Sequence, residues 1–117
     1  MGTWETQLRK GVVELAVLAT IARGETYGYQ IHEGLRPFDG LELTESTVYP
    51  LLARLAADGC LAVRTAASPA GPPRRYYRLS AKGQKRFAEM TEHWTTTANS
   101  VQHLLHGDKD HVRQEPE

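Results

Sequence analysis

A chain of 117 residues with 40% apolar and 24% charged side chains holds one domain around one modest core and has the balance of an ordinary globular protein. No apolar run approaches the roughly 18 residues of a membrane span, the opening Met1-Gly-Thr-Trp-Glu lacks the order of a secretory signal, and the lone cysteine, Cys60, excludes an intramolecular disulfide; the compartment expected is the cytoplasm. Formal charge sums to zero, which by itself argues against a strongly nucleic-acid-binding chain.

Residues 5–23 read as a helix. Leu8, Val12, Leu15, Ala19 and Ala22 recur at steps of four and three, Val13, Leu18 and Ile21 widen the stripe, and Gly24 is a natural stop. Thr26 is placed to cap a second helix, about residues 27–35, with Tyr27, Ile31 and Leu35 on one face. Gly28 and Gly34 each weaken it by roughly 1 kcal/mol relative to alanine; the close approach of a neighbouring helix would account for Gly28. Pro37 ends the segment. After the loop Phe38-Asp-Gly-Leu-Glu-Leu, Thr44 is a good N-cap for a third helix, about residues 45–58, whose Val48, Leu51, Leu52 and Leu55 form the buried face. Pro50 lies inside it, where proline costs about 3 kcal/mol; it is expected to remove one backbone bond and bend the axis.

Residues 60–66 and 74–79 alternate as two strands, joined by the turn-rich Ala67-Ser-Pro-Ala-Gly-Pro-Pro. Ser80 then caps a last helix, about residues 81–105, along which Phe87, Met90, Trp94, Ala98, Val101 and Leu105 step by three and four. Residues 107–117 are mostly charged and are expected to be disordered. Charge is unevenly spread. Residues 60–90 carry Arg64, Arg74, Arg75, Arg78, Lys82, Lys85 and Arg86 against the single acid Glu89. Such a basic region fits an anionic partner, or equally a solvated hairpin with none.

The reading is a mainly α chain with a small β-hairpin. Helix, helix, loop, helix, hairpin is the order of a winged helix-turn-helix, here residues 1–79, in which the third helix enters the major groove and the hairpin is the wing. Residues 80–106 then form a long C-terminal dimerisation helix. Thr44, Ser46, Thr47 and Tyr49 set hydroxyls at the start of the third helix, where base edges and phosphates are met, although early serines and threonines are also ordinary caps. With Tyr27, Arg54 and the wing-base pair Arg74 and Arg75 they make up the expected DNA-binding set. The last helix carries more apolar stripe than a core of this size covers, which marks an interface; Phe87, Met90, Trp94, Ala98, Val101 and Leu105 are the expected dimer contacts, with Phe87 and Met90 also able to cover their own domain.

Four runs in order, Leu8-Arg-Lys-Gly-Val-Val-Glu-Leu, Tyr27-Gly-Tyr-Gln-Ile, Thr47-Val-Tyr-Pro-Leu-Leu-Ala-Arg-Leu and Gly71-Pro-Pro-Arg-Arg-Tyr-Tyr-Arg-Leu-Ser, resemble the PadR family of bacterial transcription regulators over residues 8–83. The resemblance implies a winged-helix fold, a homodimer, binding to double-stranded operator DNA, repression, and a Pro50 tolerated as a family feature. In multidrug-sensing members a tryptophan at similar spacing lines a pore at the dimer interface. By that likeness Trp94, with Leu8, Val12 and Leu15 nearby, would hold a small planar hydrophobic effector; the plainer reading is an interface tryptophan that binds nothing. A winged-helix protein-interaction module without DNA is the competing function, since fold does not fix function.

No enzyme, cofactor or metal is expected. Nucleophile–base–acid patterns and phosphate-cradling glycine loops are missing from the sequence. His93, His103, His106 and His111 come without the cysteines or carboxylates that would complete a metal site, and Cys60 is expected to be buried.

Overall fold

In the computed structural model, which describes residues 3–107, the chain runs α1 (Trp4–Ala22), β1 (Thr26–Tyr27), α2 (Gly28–Leu35), α3 (Glu45–Ala57), β2 (Leu61–Ala66), β3 (Arg74–Leu79) and α4 (Ala81–His106). Three antiparallel strands lie in the order β1-β3-β2. The hairpin pairs Leu61 with Leu79 and Ala66 with Arg74 at its ends. Of the expected tail, residues 108–117 lie outside the described residues, while Gly107 closes α4 in the left-handed conformation at φ 65°.

Two local expectations are corrected. Thr26 and Tyr27 do not begin α2; they form a short third strand, Thr26 opposite Tyr77 and Tyr27 opposite Tyr76. Thr26 is buried and its hydroxyl donates to the Gln30 side chain, so Tyr27 holds the N-cap position with no side-chain cap bond. The cause is a partner some fifty residues away, which local propensity cannot see. At α3, Thr44 does occupy the N-cap, but its side chain does not cap the helix. The Thr47 and Val48 amides donate to the Thr44 carbonyl, and the Thr44 hydroxyl turns to those of Ser46 and Thr47. The helix runs unbroken through Pro50. The ring leaves the Ser46 carbonyl without its helical donor, and Ser46 is on the exposed first turn, where the loss costs least.

One core holds the elements together. Val17, Leu18 and Ile21 of α1, Ile31 and Leu35 of α2, Val48, Leu52 and Leu55 of α3, and Leu61, Tyr77 and Leu79 of the sheet are buried in a single cluster, with Cys60 fully buried beside β2. Phe87 and Met90 pack against this cluster from α4, so part of the expected interface stripe covers its own domain. The start of α4 is fastened to the end of α3. Ser80 accepts from the Gly83 amide at 3.0 Å and donates to the Gly59 carbonyl at 2.6 Å, its amide donates to the Cys60 carbonyl at 3.0 Å, and Lys82 Nζ donates to the Asp58 carbonyl at 2.6 Å. Gly83 is required there, because a methyl group would overlap the Cys60 carbonyl. Beyond Met90 the apolar side chains of α4 lose cover: Trp94, Val101, Leu104 and Leu105 are exposed.

Candidate nucleic-acid interface

The first turn of α3 presents three hydroxyls as one group. Thr44 Oγ1 lies 2.9 Å from Ser46 Oγ and 3.1 Å from Thr47 Oγ1, and all three residues are exposed. A hydroxyl both donates and accepts, so the group can turn toward a phosphate oxygen or toward either kind of base edge. It stands at the positive end of a thirteen-residue helix.

Behind it, Tyr49 lies against Gly28. A methyl at Gly28 would stand 2.9 Å from Cζ of that ring and overlap Cε1, so the lack of a side chain lets α2 and α3 close on each other, as the close-approach reading of Gly28 anticipates. Burial against α2, then the charge of Glu45 and the neighbouring Tyr77, push the Tyr49 hydroxyl above its ordinary value. It stays protonated at neutral pH and remains a donor.

The wing closes the other side. A cleft of about 490 Å³ is lined by Tyr27, Tyr29, Tyr49, Arg74, Arg75 and Tyr77, with Gly28, Ala53 and Pro73 between them. The structure thus gathers Tyr27 from β1, Tyr49 from α3 and Arg74 and Arg75 from β3 around one concavity. The outer face of the sheet is a ladder of rings and cations. Arg74 sits 4.1 Å from the centre of the Tyr27 ring, Tyr27 meets Tyr76 edge to face at 5.5 Å, and Arg64 lies 4.7 Å over Tyr76. Glu25 accepts from Arg64 Nε and Nη2, both at 2.7 Å. That paired hydrogen bond holds the Glu25 carboxyl below its ordinary range and raises Arg64. Glu25, Arg64 and Tyr76 escape a sequence reading because only strand pairing brings them together; alternation along residues 60–66 does put Arg64 on the outer face, but nothing local names its partner.

Arg54 lies outside that cleft, in a second concavity of about 580 Å³ that it lines together with Thr44, Thr47, Arg9, Lys10 and Glu14. Its Nη2 donates to Glu14 Oε1 at 2.6 Å, its Nη1 stands 3.6 Å from Asp58, and Arg86 approaches the other oxygen of Glu14 at 3.7 Å. Arg54 therefore braces α3 against α1, and its charge is already matched.

A third concavity lies between α1 and α4. Leu8, Val12 and Leu15 face Met90 and Trp94 across a groove of about 580 Å³, with Arg86 and His93 at its edge. These are the residues expected to meet there. Trp94 is 46% exposed and Leu8 71%, which leaves a large apolar surface open in the single chain. Ala98 is partly covered, and Val101 and Leu105 are open. Among the described residues no cluster of three or more His, Cys, Asp or Glu side chains is arranged to hold a metal ion, and no helix is long and apolar enough to cross a membrane.

A sequence profile of the Transcriptional regulator PadR-like family matches residues 17–89. No curated protein matches the chain. Among solved structures, a PadR-like transcriptional regulator from Bacillus cereus is 32% identical, aligned over 85% of this chain and 96% of its own, with a TM-score of 0.75. A PadR family regulator from Eggerthella lenta is 31% identical over 85% of this chain and 86% of its own, with a TM-score of 0.74. Bacillus subtilis PadR, solved in complex with operator DNA, shares the fold at 20% identity and a TM-score of 0.63, over 91% of this chain and 49% of its own. With a profile covering well over half its length and relatives above 30% identity aligned along most of both chains, this chain belongs to the PadR-like family of transcriptional regulators.

Proposed function

We propose that the chain is a homodimeric, sequence-specific DNA-binding regulator that represses from an inverted-repeat operator and is released by a flat hydrophobic ligand. The observation that carries the DNA reading is the cleft in which α3, through Tyr49, meets the wing arginines Arg74 and Arg75, with the hydroxyls of Thr44, Ser46 and Thr47 exposed at the start of the same helix. Hydroxyls and a tyrosine for base edges and phosphates, next to arginines for phosphates or the minor groove, form a duplex-binding set. The operator complex of Bacillus subtilis PadR, a protein of the same fold, supports it.

The uncovered stripe supports the dimer. Trp4, Leu8, Trp94, Val101, Leu104 and Leu105 are exposed together along α1 and α4, and a second copy of the same stripe is its natural cover. A two-fold dimer sets its recognition helices one turn of DNA apart, about 34 Å, so the operator is an inverted repeat. The groove beside Trp94 then becomes enclosed and aromatic, which suits a planar hydrophobic effector.

The test is salt-dependent binding to duplex DNA. Arg75→Ala weakens binding to every sequence and lowers the salt slope by about one. Indifference of the parent to all duplexes at low ionic strength would instead favour a winged-helix protein-interaction module. The effector arm is read in a Trp4→Phe background, where a planar ligand quenches Trp94 and lowers operator affinity; no quenching across a panel of flat cations and phenolics rejects that arm and leaves the DNA arm standing.

A further inference from the structure

Strand pairing puts Arg74, Tyr76, Tyr27 and Arg64 on the same outer face. Tyr27 and Arg64 both lie directly opposite Tyr76, on either side of it, and Arg74 is two residues along β3. The ladder has two cationic ends with different fates. Arg64 is spent on both oxygens of Glu25. Arg74 rests on the Tyr27 ring at 4.1 Å and has no carboxylate partner among the described residues.

We infer that Tyr27 is a positioning residue whose ring, not its hydroxyl, holds the Arg74 guanidinium ready for a backbone phosphate. This rests on the DNA-binding reading above and assigns how one contact of that site is prepared. An arginine on a wing otherwise samples many rotamers and must be ordered on binding. Contact with the negative ring of a tyrosine fixes the cation before DNA arrives, and a guanidinium stacked on a ring keeps its in-plane N–H donors for an anion. Tyr27 is itself fixed, because its backbone pairs with Tyr76 and its ring meets the Tyr76 ring at 71°. The Arg64–Glu25 pair anchors the far end. The tyrosine of β1, at the N-cap of α2, thus ties the helix-turn-helix to the wing and sets where the wing's charge is offered.

The experiment removes the hydroxyl and the ring's negative face separately. Tyr27→Phe and phenylalanines carrying one, two or three fluorines at position 27 are compared in the full chain, in the parent and in an Arg74→Ala background. The readout is affinity for a fluorescein-labelled duplex that the parent selects from a random pool, and thermal melts confirm that each variant folds. Tyr27→Phe, which keeps the ring's negative face, is the reference against which the fluorine series is read. Successive fluorines weaken binding by about two- to fivefold in total, the range of an exposed cation–π contact, and the series is flat without Arg74. A loss already complete in Tyr27→Phe, a flat series in the parent, or the same decline in Arg74→Ala overturns the inference while leaving DNA binding intact. A parent that selects no duplex at low salt removes the reading beneath it.

Discussion

Gly83→Ala tests how α4 is joined to the winged helix. A β-carbon at position 83 would stand 2.9 Å from the Cys60 carbonyl carbon and 3.3 Å from its Cα, with the carbonyl oxygen nearer still. These are backbone atoms of the short link between α3 and β2, so no side-chain rotation relieves the overlap. The segment must retreat by about 1 Å, and two of the short bonds across the joint are the first to go: the Ser80 amide to the Cys60 carbonyl and the Ser80 hydroxyl to the Gly59 carbonyl. Two net hydrogen bonds are worth about 2 kcal/mol, overpacking adds about 1–3 kcal/mol, and alanine returns about 1 kcal/mol of helix propensity. The expected net loss is about 2–4 kcal/mol. Urea unfolding followed by circular dichroism, at one fixed protein concentration because a dimer's stability depends on it, measures it. Gly34→Ala is the matched control: it lies in α2 with open space around its missing side chain and should gain up to about 1 kcal/mol. If Gly83→Ala unfolds at the parent's midpoint, the tight joint does not exist and α4 is free to pivot.

Arg54→Ala removes the α1–α3 brace. With Arg54 about half exposed and Glu14 at 17%, the loss should be about 1 kcal/mol by thermal melt, with a smaller change in DNA affinity than Arg75→Ala; the reverse order would return Arg54 to the binding surface. Glu25 has its carboxyl held below the ordinary 4.5 by the Arg64 hydrogen bond. Its contribution is therefore complete above pH 4.5 and is lost as pH falls through the lowered value. Glu25→Gln should flatten the acid limb of the pH–stability curve below that point and leave its neutral limb parallel to the parent's. Leu105→Glu places a charge on a side chain 72% exposed in the single chain, so the fold is retained while the dimer dissociation constant in sedimentation rises at least about tenfold, the worth of roughly one fully buried leucine. An unchanged constant would put the dimer contact elsewhere.

Periodicity carried most of the fold. Steps of three and four from Leu8 to Ala22 and from Phe87 to Leu105 place α1 and α4 to within a residue or two of their observed ends, because an amphipathic stripe is written locally. What escaped was written between distant segments. β1 exists because Tyr27 pairs with Tyr76, and residues 26–27 alone look like a cap and a helix start. The hydroxyl group of Thr44, Ser46 and Thr47 and the pair Arg74 and Arg75 were legible as chemistry, since spacing along one helix turn and one strand fixes their neighbourhood. Arg54, seven residues after Thr47, was legible as sharing that residue's side of α3 but not as half of an ion pair. The deciding neighbour, Glu14, is forty residues earlier on another helix.

The same distinction resolves the conflict between a neutral chain and an anionic partner. Net charge counts every acid equally, yet the acids here are not equally available to repel a phosphate. Glu14 and Asp58 are matched to Arg54, Glu25 to Arg64 and Glu33 to Arg36. Each such pair cancels within a few ångströms, and its field beyond a Debye length of about 8 Å is small. The wing keeps Arg74 resting on a ring and Arg75 and Arg78 exposed. The sum over 117 residues is zero, while β3 brings Arg74, Arg75 and Arg78 to the wing and Glu45 is the acid whose charge reaches Tyr49 in the cleft beside it.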